Sequence, residues 1–530
     1  MATIIDTATI PIDASHDADT ASWLYNALDC FITADVYNAI LPELDEATRP
    51  TYELSRALQA PILDMNMHGI LVDQHSLTEN KMMLQAEINR LETQLDRIMR
   101  DGYGTVLNWR SPQQLANFLY NYLQLPRKRK RNAKGEMAIT TDRKTLEGLS
   151  IYTTAKPFIN HMLALRDLAK RMSFLSTEID NDGYMRCNYN IAGTNTGRLS
   201  SSFSDMGTGT NLQNVDGKLR RHFVAPKGKK FANLDLEQAD SRNVGATCWN
   251  RFVESHGEEW AGSYLDACES GDLHTMVTRM ARPELEWPDD KSGWRAVADQ
   301  QFYRGKTYRD VSKGLGHGTN YLLTPESAVQ KVNITIDAVK EFRARYFGGF
   351  PCIPEWHKVV AQDLINYQCL TTIWGFQRYF FKRPDDPATH RAAVAFEGQS
   401  PTASEINHGL LQLWREGRRF PGFQLLVQVH DSIMFQYDEE CEDEIIPWAL
   451  QALRVPLILK RGREFTVPTE AKIGWNWGDV QYWNKQDYEN GKCKKEEIGK
   501  PKFNFDGLAK WKGHDTRTRQ QEPRTRYSLR

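Results

Sequence analysis

The segment Phe231-Ala-Asn-Leu-Asp-Leu-Glu-Gln-Ala-Asp-Ser-Arg242 constrains this chain more than any other. Its first half is apolar and reads as a buried strand. Asp235 stands at the strand end, where the sequence turns polar and helix-permissive. A carboxylate in that position is costly unless it is paired or holds a metal. A second such segment lies far downstream, Phe423-Gln-Leu-Leu-Val-Gln-Val-His430-Asp431-Ser432-Ile-Met-Phe-Gln-Tyr437. Two β-rich runs flank a His-Asp-Ser turn, so it reads as a hairpin with Asp431 at the bend. The inference is that Asp235 and Asp431 meet in space. Two oxygen-ligand carboxylates with few other acids close by, facing a phosphate-bearing substrate, would suit a pair of Mg²⁺ ions.

At 530 residues the chain is too long for one simple core, and roughly three or four lobes are expected. A charged fraction of 25% and an apolar fraction of 40% are those of an ordinary globular protein. The net charge of -1 gives no global basic signature, so contact with nucleic acid would need a local basic groove inside a neutral whole. The eight cysteines are scattered without a CxxC pair. That pattern indicates neither a zinc site nor a disulfide framework and fits a reducing, cytoplasmic setting. No stretch has the form of a signal peptide, and none is long enough to span a membrane.

Along the chain, residues 1–20 read as loose, and Ala21 to Ile40 as helical. Tyr52 to Ile98 is strongly helical, with Leu84, Ile88, Leu91, Leu95 and Ile98 at three- and four-residue spacing. Ser111-Pro112 marks a helix start, with Ser111 as N-cap. Arg127-Lys-Arg-Lys-Arg131-Asn-Ala-Lys134 is either a solvated surface loop or a phosphate contact at the tip of a helical lobe. Residues 184–233 carry strand and turn signals, and helical patterns return from 243 to 370. Strand signals resume near Thr371–Phe381. A helix is expected over roughly 402–416, and Gly474-Trp-Asn-Trp-Gly478 looks like a last strand and turn. The tail from Thr516 to Arg530 is basic and poor in core formers, so it is expected to be disordered.

Arg309, Lys313, His317 and Tyr321 recur every four residues. Each such step on an α-helix turns about 400°, so the four side chains fall within roughly 120° of one face. Two cations followed by two rings make a ladder for a nucleotide, with Arg309 and Lys313 on the phosphates and His317 against the sugar or base. An amphipathic surface helix gives the same spacing by accident. Gly314, Gly316 and Gly318 cost roughly 1 kcal/mol each in a helix interior, which points to close approach of another backbone or a base, or to bending.

Taken in order, these segments resemble the motifs of family A DNA polymerases. Asp235-Leu-Glu-Gln-Ala-Asp-Ser-Arg242 is similar to the first palm motif, Arg309-x3-Lys313-x4-Gly318-x2-Tyr321 to the fingers-helix motif, and Val429-His-Asp431 to the second palm motif. Thr196-Gly-Arg-Leu-Ser-Ser-Ser202, Asn211-Leu-Gln-Asn214 and Arg220-Arg-His-Phe-Val-Ala225 resemble the template-primer-binding run. Gln399-Ser-Pro-Thr-Ala403 resembles the start of the palm helix before the hairpin, and Asp272-Leu-His274-Thr275 a short fingers motif. The resemblance covers about 50 to 485.

The resemblance implies an α+β right hand with an antiparallel-sheet palm, helical fingers and a helical thumb. The expected division is an N-terminal helical stub at 1–48, thumb at 49–170, palm at 171–242 and 386–515, fingers at 243–385, and the basic tail at 516–530. It implies a DNA-directed DNA polymerase that adds deoxynucleotides to a primer 3′ end. Asp235 and Asp431, helped by the Leu236 carbonyl, would bind the two Mg²⁺ ions. Arg309, Lys313 and His274 would hold the triphosphate, with Lys313 also a proton donor to pyrophosphate. Gln238, His317 and Tyr321 complete the nucleotide site, Tyr321 stacking at the template side, and Asp240 would exclude the ribonucleotide 2′-hydroxyl. Arg198, Asn211, Gln213, Arg242, Arg391, Gln399 and His430 would contact primer-template DNA. The chain is expected to act as a monomer without a membrane, with replication accessory proteins as candidate partners.

Three positions depart from the family pattern. Ser432 replaces the acid that usually follows the second palm aspartate, Asp240 is one methylene shorter than the usual Glu, and His317 replaces Phe or Tyr. Tyr25-x3-Asp29 has the spacing of the last motif of a proofreading exonuclease, with no room for the rest of that fold upstream. The expectation is therefore a nuclease stub without 3′–5′ proofreading, as in virus-encoded members. Asp235-Leu-Glu237 also matches the Asp-x-Glu of a DEDD exonuclease, a rival reading set aside because later nuclease motifs do not follow. A single-subunit RNA polymerase and a catalytically inactive DNA-binding protein are the remaining alternatives.

Overall fold

A computed structural model describes residues 18–131, 135–303, 305–332 and 334–483. The basic tail at 516–530, residues 1–17 of the stub and Lys134 lie outside the described residues. The fold is α+β, with helices surrounding one larger antiparallel sheet.

The N-terminal part is helical. Helix α1 is Ala18–Ile40 and α2 is Arg49–His68. The pattern read as continuous from 52 to 98 is broken at Gly69. That residue adopts φ 67°, and a Cβ there would lie 2.7 Å from the Met185 carbonyl oxygen, so only glycine fits the close approach. Helix α3, Gln74–Arg97, restarts with Asp73 as N-cap, accepting from the Ser76 N–H. Ile88, Leu91 and Leu95 are buried as their spacing predicts, but Met99, rather than Ile98, continues the stripe. Ile98–Gly102 is a π-turn, and its extra residue per turn advances the buried face by one position. These residues form a separate apolar core with Phe118, Leu146, Phe158 and Met162, the last two from α4, Lys156–Leu175. Ser111 caps its short helix as expected, accepting from the Gln114 N–H. The basic segment forms an exposed hairpin, Arg129–Arg131 against Met137–Ile139.

The second core contains the sheet. A two-stranded ribbon, β1 (Cys187–Asn190) with β2 (Ser200–Phe203), precedes the central strand β3, Lys229–Leu236. After β3 come helices α5 (Ala239–His256), α6 (Leu273–Ala281), α7 (Tyr308–Asn320) and α8 (Pro387–Gly417). Strands β4 (Gln424–Val429), β5 (Ser432–Asp438), β6 (Thr469–Gly474) and β7 (Gln481–Tyr482) complete the sheet, in the order β4-β5-β3-β6-β7, all antiparallel. Phe231, Leu234, Ile433, Phe435 and Ile473 are buried where the helices cover it.

Helix α8 begins well before the expected 402. The Gln399-Ser-Pro401 segment resembles a helix start because proline favours the first turn. The true start is Asp386-Pro387, with Asp386 accepting from the Ala388 N–H, and Pro401 lies inside the helix. The expected strands near 371–381 form a small hairpin, Cys369–Thr371 with Gln377–Tyr379.

Candidate active site

The sheet brings the two acids together through its register. Asp235 on β3 lies opposite Ser432, the first residue of β5, and Asp431 fills the bend just before it. The Leu236 N–H donates to the Asp431 carbonyl oxygen at 3.2 Å. Ser432 Oγ donates to the Val429 carbonyl at 2.9 Å and closes the hairpin turn. Ser432 is therefore a turn-closing hydroxyl where the family usually places an acid. A non-glycine residue in left-handed backbone stands near each acid: His430 (φ 56°) directly before Asp431, and Gln238 (φ 54°) three residues after Asp235. Such conformations cost of order 1–3 kcal/mol and persist where surrounding structure imposes them.

Burial pushes the Asp235 carboxyl up to about 7, and the neighbouring Asp431 adds to the rise, while Lys472 and Lys313 oppose it. Asp431 is also raised, mainly by burial, with Asp240 contributing. Two acids held in this way repel each other and lack water, a state that an added cation would relieve. One further acid near the pair was not legible in the sequence. Glu470 on β6 is the other cross-strand partner of Asp235, pairs with Lys472 at 3.0 Å, and acts electrostatically on Asp235. Its place follows from strand register, which has no sequence spacing to betray it.

The Arg309–Tyr321 segment is the helix expected, started by a capping box of Thr307 and Asp310. Lys313 and His317 are exposed on one side, while Val311 and Leu315 pack inward. The His317 and Tyr321 rings meet edge to face at 4.8 Å. Two of the three glycines have packing reasons: a Cβ on Gly318 would lie 2.5 Å from Leu323, and on Gly316 3.0 Å from Val277. Gly314 faces open space.

Arg309 is held by Asp272, the N-cap of α6, through Nε and Nη2 at 2.9 and 2.8 Å. Against the upward push of burial, hydrogen bonds from Arg309 and Thr275 keep the Asp272 carboxyl well below the usual carboxylate range. His274 is buried, and burial together with Lys313 and Arg309 brings its pKa down to about 4. It is therefore neutral at pH 7 in the free protein. Lys313 acts electrostatically on both Asp235 and His274, so it lies near the carboxylates as well as near the Arg309 end of the site.

The remaining expected residues divide into two groups. Asp240 accepts from Arg198 Nη2 at 3.0 Å and from Thr402 Oγ1 at 2.9 Å, so its carboxylate is already engaged. Asn211 bonds Ser201, and Gln213 bonds Leu199 and Gln428, tying β2 to the hairpin. Gln238 Oε1 is buried without a hydrogen-bond partner among the described residues. The Tyr321 hydroxyl is likewise buried and unpartnered, and its ring lies where a Cβ on Gly398 would come within 2.7 Å. His430 and Arg391 are exposed, and Gln399 is half-buried on α8. Arg242 departs from the DNA-contacting set: it is 7% exposed, and its Nε donates to the Glu237 carbonyl at 3.1 Å, bracing the turn after β3.

Among the described residues no helix is long and apolar enough to cross a membrane, and no group of three or more His, Cys, Asp or Glu side chains could hold a metal. Two carboxylates whose charge is opposed by burial still fit a hard divalent ion whose other ligands are substrate oxygens and water.

The chain is similar to a thermostable DNA polymerase I of Thermus caldophilus, 25% identical over 449 residues, covering 80% of this chain and 47% of that protein. It is similar to a DNA polymerase I of Helicobacter pylori, 24% identical over 460 residues, covering 81% and 44%. The chain thus spans about half the length of the curated relatives it matches. Among solved structures it resembles the POL domain of Pol1 from M. smegmatis in complex with DNA primer-template and dNTP, with a TM-score of 0.64 at 22% identity, over 80% of this chain and 70% of that one. The fold is therefore that of a polymerase domain of this kind. The family model for DNA polymerase family A matches residues 74–254 and 292–479. It passes over 255–291, where Asp272 and His274 lie, so their placement beside Arg309 rests on geometry alone. On a match over more than half its length, the chain belongs to DNA polymerase family A.

Proposed function

We propose that this chain is a DNA-directed DNA polymerase that extends a primer 3′ end with deoxynucleotides and releases pyrophosphate. The observation that carries the reading is the position of Lys313, which acts on both Asp235 and His274 and so links a pair of buried acids to a cationic helix end. In this reading the sheet is the palm, the helices between α5 and the 369–379 hairpin are the fingers, and the lobe with its own core is the thumb. DNA primer-template and deoxynucleoside triphosphates are the partners, as in the complex of the M. smegmatis relative.

Asp235, Asp431 and the Leu236 carbonyl would hold divalent metal, with two Mg²⁺ ions as the expected complement. Such ions supply Lewis-acid chemistry at the primer hydroxyl and at the leaving phosphate. The chain's own groups do the rest. Arg309, aligned by Asp272, and Lys313 bind the phosphates, and Lys313 gives a proton to the departing pyrophosphate. The neutral His274 would offer a ring N–H to a phosphate oxygen. Gln238 offers a buried acceptor, His317 lies against the sugar or base, and Tyr321 stands at the end of the ladder. Asp240 limits space at the 2′ position, drawn back by Arg198 and Thr402. Arg198, Asn211, Gln213, Gln399, Arg391 and His430 shape the primer-template side, where minor-groove acceptors carry little sequence information. A groove of about 460 Å³ next to that side is lined by Lys170, Asn211 and Asn214 together with the ion pairs Arg143–Asp167 and Arg171–Asp216.

The reading includes no 3′–5′ proofreading by this chain. The experiment that tests both parts is primer extension with deoxy- or ribonucleotides, scoring 3′-end degradation in the same lanes. Extension with deoxynucleotides and no shortening of the primer is expected. Shortening without extension, abolished by Asp235→Asn, would replace the reading by a nuclease.

A further inference from the structure

Between α6 and α7 the chain makes an excursion that is pinned to both helices. Arg279 of α6 lies 4.2 Å over the Trp294 ring, and Trp287 meets Trp294 edge to face at 6.4 Å. Trp294 Nε1 donates to the Pro288 carbonyl at 2.8 Å. At the other end Arg282 packs over Phe302 and Tyr308, at 4.5 and 5.6 Å, and the Tyr308 N–H donates to the Gln300 carbonyl at 3.1 Å. Stacked cations and indoles of this kind fix a segment that has few aliphatic residues to bury.

The short helix Trp294–Ala298 in this excursion carries Arg295. Its Nη1 donates at 3.0 Å to Asp272 Oδ2, the same oxygen that accepts from Arg309 Nε. Its Nε donates to Asp299. Asp272 is itself fixed from below by the His274 and Thr275 N–H groups and the Thr275 hydroxyl. One anchored carboxylate therefore gathers two guanidiniums at the N-terminal end of the helix ladder. Arg309 spends two donors on it, but Arg295 spends only one, and its Nη2 has no hydrogen-bond partner among the described residues. Over half of the Arg295 side chain is exposed. Lys313 lies one turn farther along α7, toward the carboxylates.

We propose that Arg295 is a third cationic ligand of the triphosphate, binding the outer phosphate beyond Arg309 and Lys313. The proposal rests on the polymerase reading for the identity of the ligand. Asp272 then has a stated part: it holds both guanidiniums in place with Arg309 Nη1 and Arg295 Nη2 left for phosphate oxygens, which lowers the ordering cost on binding.

The test uses the full chain and the variants Arg295→Ala and Arg295→Lys, with their melting temperatures as a folding control. Binding of inorganic tripolyphosphate is measured by calorimetry, and deoxynucleotide KM and kcat by single-nucleotide extension. A partly exposed charge pair sets the scale at roughly 5-fold. Arg295→Ala should weaken tripolyphosphate and raise KM by about that factor, with kcat little changed, and Arg295→Lys should recover part of the loss. A deoxynucleoside diphosphate competitor should bind wild type and Arg295→Ala equally. Equal losses for di- and triphosphate would reduce Arg295 to a support for Asp272 and overturn the proposal. So would unchanged binding and KM in an active enzyme. A wild-type chain that binds tripolyphosphate through Arg295 yet extends no primer would remove the polymerase reading and leave the phosphate site standing.

Discussion

The carboxylate pair and the cationic helix face are built on opposite principles. Asp235 and Asp431 are positioned by strand register and a tight bend, near two residues in left-handed backbone, and are raised because burial and like charge oppose ionisation. Arg309, Lys313 and His317 line a helix face, and Arg309 is fixed there through Asp272. The first region stores unfavourable electrostatics in a sheet, and the second spreads cations along a helix, Lys313 exposed and Arg309 half-buried. A sheet suits groups that must keep a fixed separation around an ion, and a helix face suits side chains that follow a flexible triphosphate.

If that contrast is right, changes in the first region should remove chemistry and those in the second should mostly weaken binding. The largest effect is expected for Asp431→Ala, which should lower extension by at least ~10³-fold. Primer-template affinity measured without metal should stay nearly unchanged, and joint loss of both would point to a structural role. Lys313→Ala comes next, because Lys313 acts electrostatically on both regions: a loss of about 10²-fold in kcat/KM is expected, and a pure KM effect would confine it to the ladder. Asp272→Asn keeps the helix cap but removes the charge that aligns Arg309. It should raise deoxynucleotide KM roughly 10-fold with kcat preserved. A fall in kcat alone would detach Asp272 from the ladder. The smallest effect is expected for Asp240→Ala. Ribonucleotide discrimination should fall only a few-fold, since the wild-type carboxylate is already drawn back by Arg198 and Thr402. A fall of ~10³-fold, equivalent to about 4 kcal/mol, would show that the carboxylate reaches the sugar.

Much of this division was legible in the sequence. The alternating apolar runs around Asp235 and Asp431 gave the strands and the bend, and the four-residue spacing of Arg309, Lys313, His317 and Tyr321 gave a helix with one polar face. What could not be read depends on contacts between distant segments. Glu470 beside Asp235 needs the strand register, and the Asp272–Arg309 pair needs the packing of α6 against α7. Arg242 was misplaced because an arginine one turn into a helix gives no sign of which way it faces, and here it turns under the strand end. The start of α8 was displaced because Ser400-Pro401 and Asp386-Pro387 are both acceptable cap-proline pairs, and only packing around Phe396 and Glu397 chooses between them.

The central claim is that the raised acids are a binding site for divalent metal, and thermal melting against pH with and without Mg²⁺ tests it most directly. Asp235 has a folded pKa of about 7, above its ordinary 3.8. The native state therefore holds a proton that the unfolded chain releases, so the stability from this group is fully present below about pH 4 and is lost as pH rises through 7. Mg²⁺ must displace that proton, so its affinity should rise by about one order per pH unit up to 7 and then level off. Wild-type protein should thus lose stability between about pH 4 and 7 without metal and regain it with Mg²⁺ near pH 7, while Asp235→Asn should lose less over that range, only the part due to the raised Asp431, and respond little to Mg²⁺. Equal stabilisation of wild type and Asp235→Asn by Mg²⁺ would contradict the account.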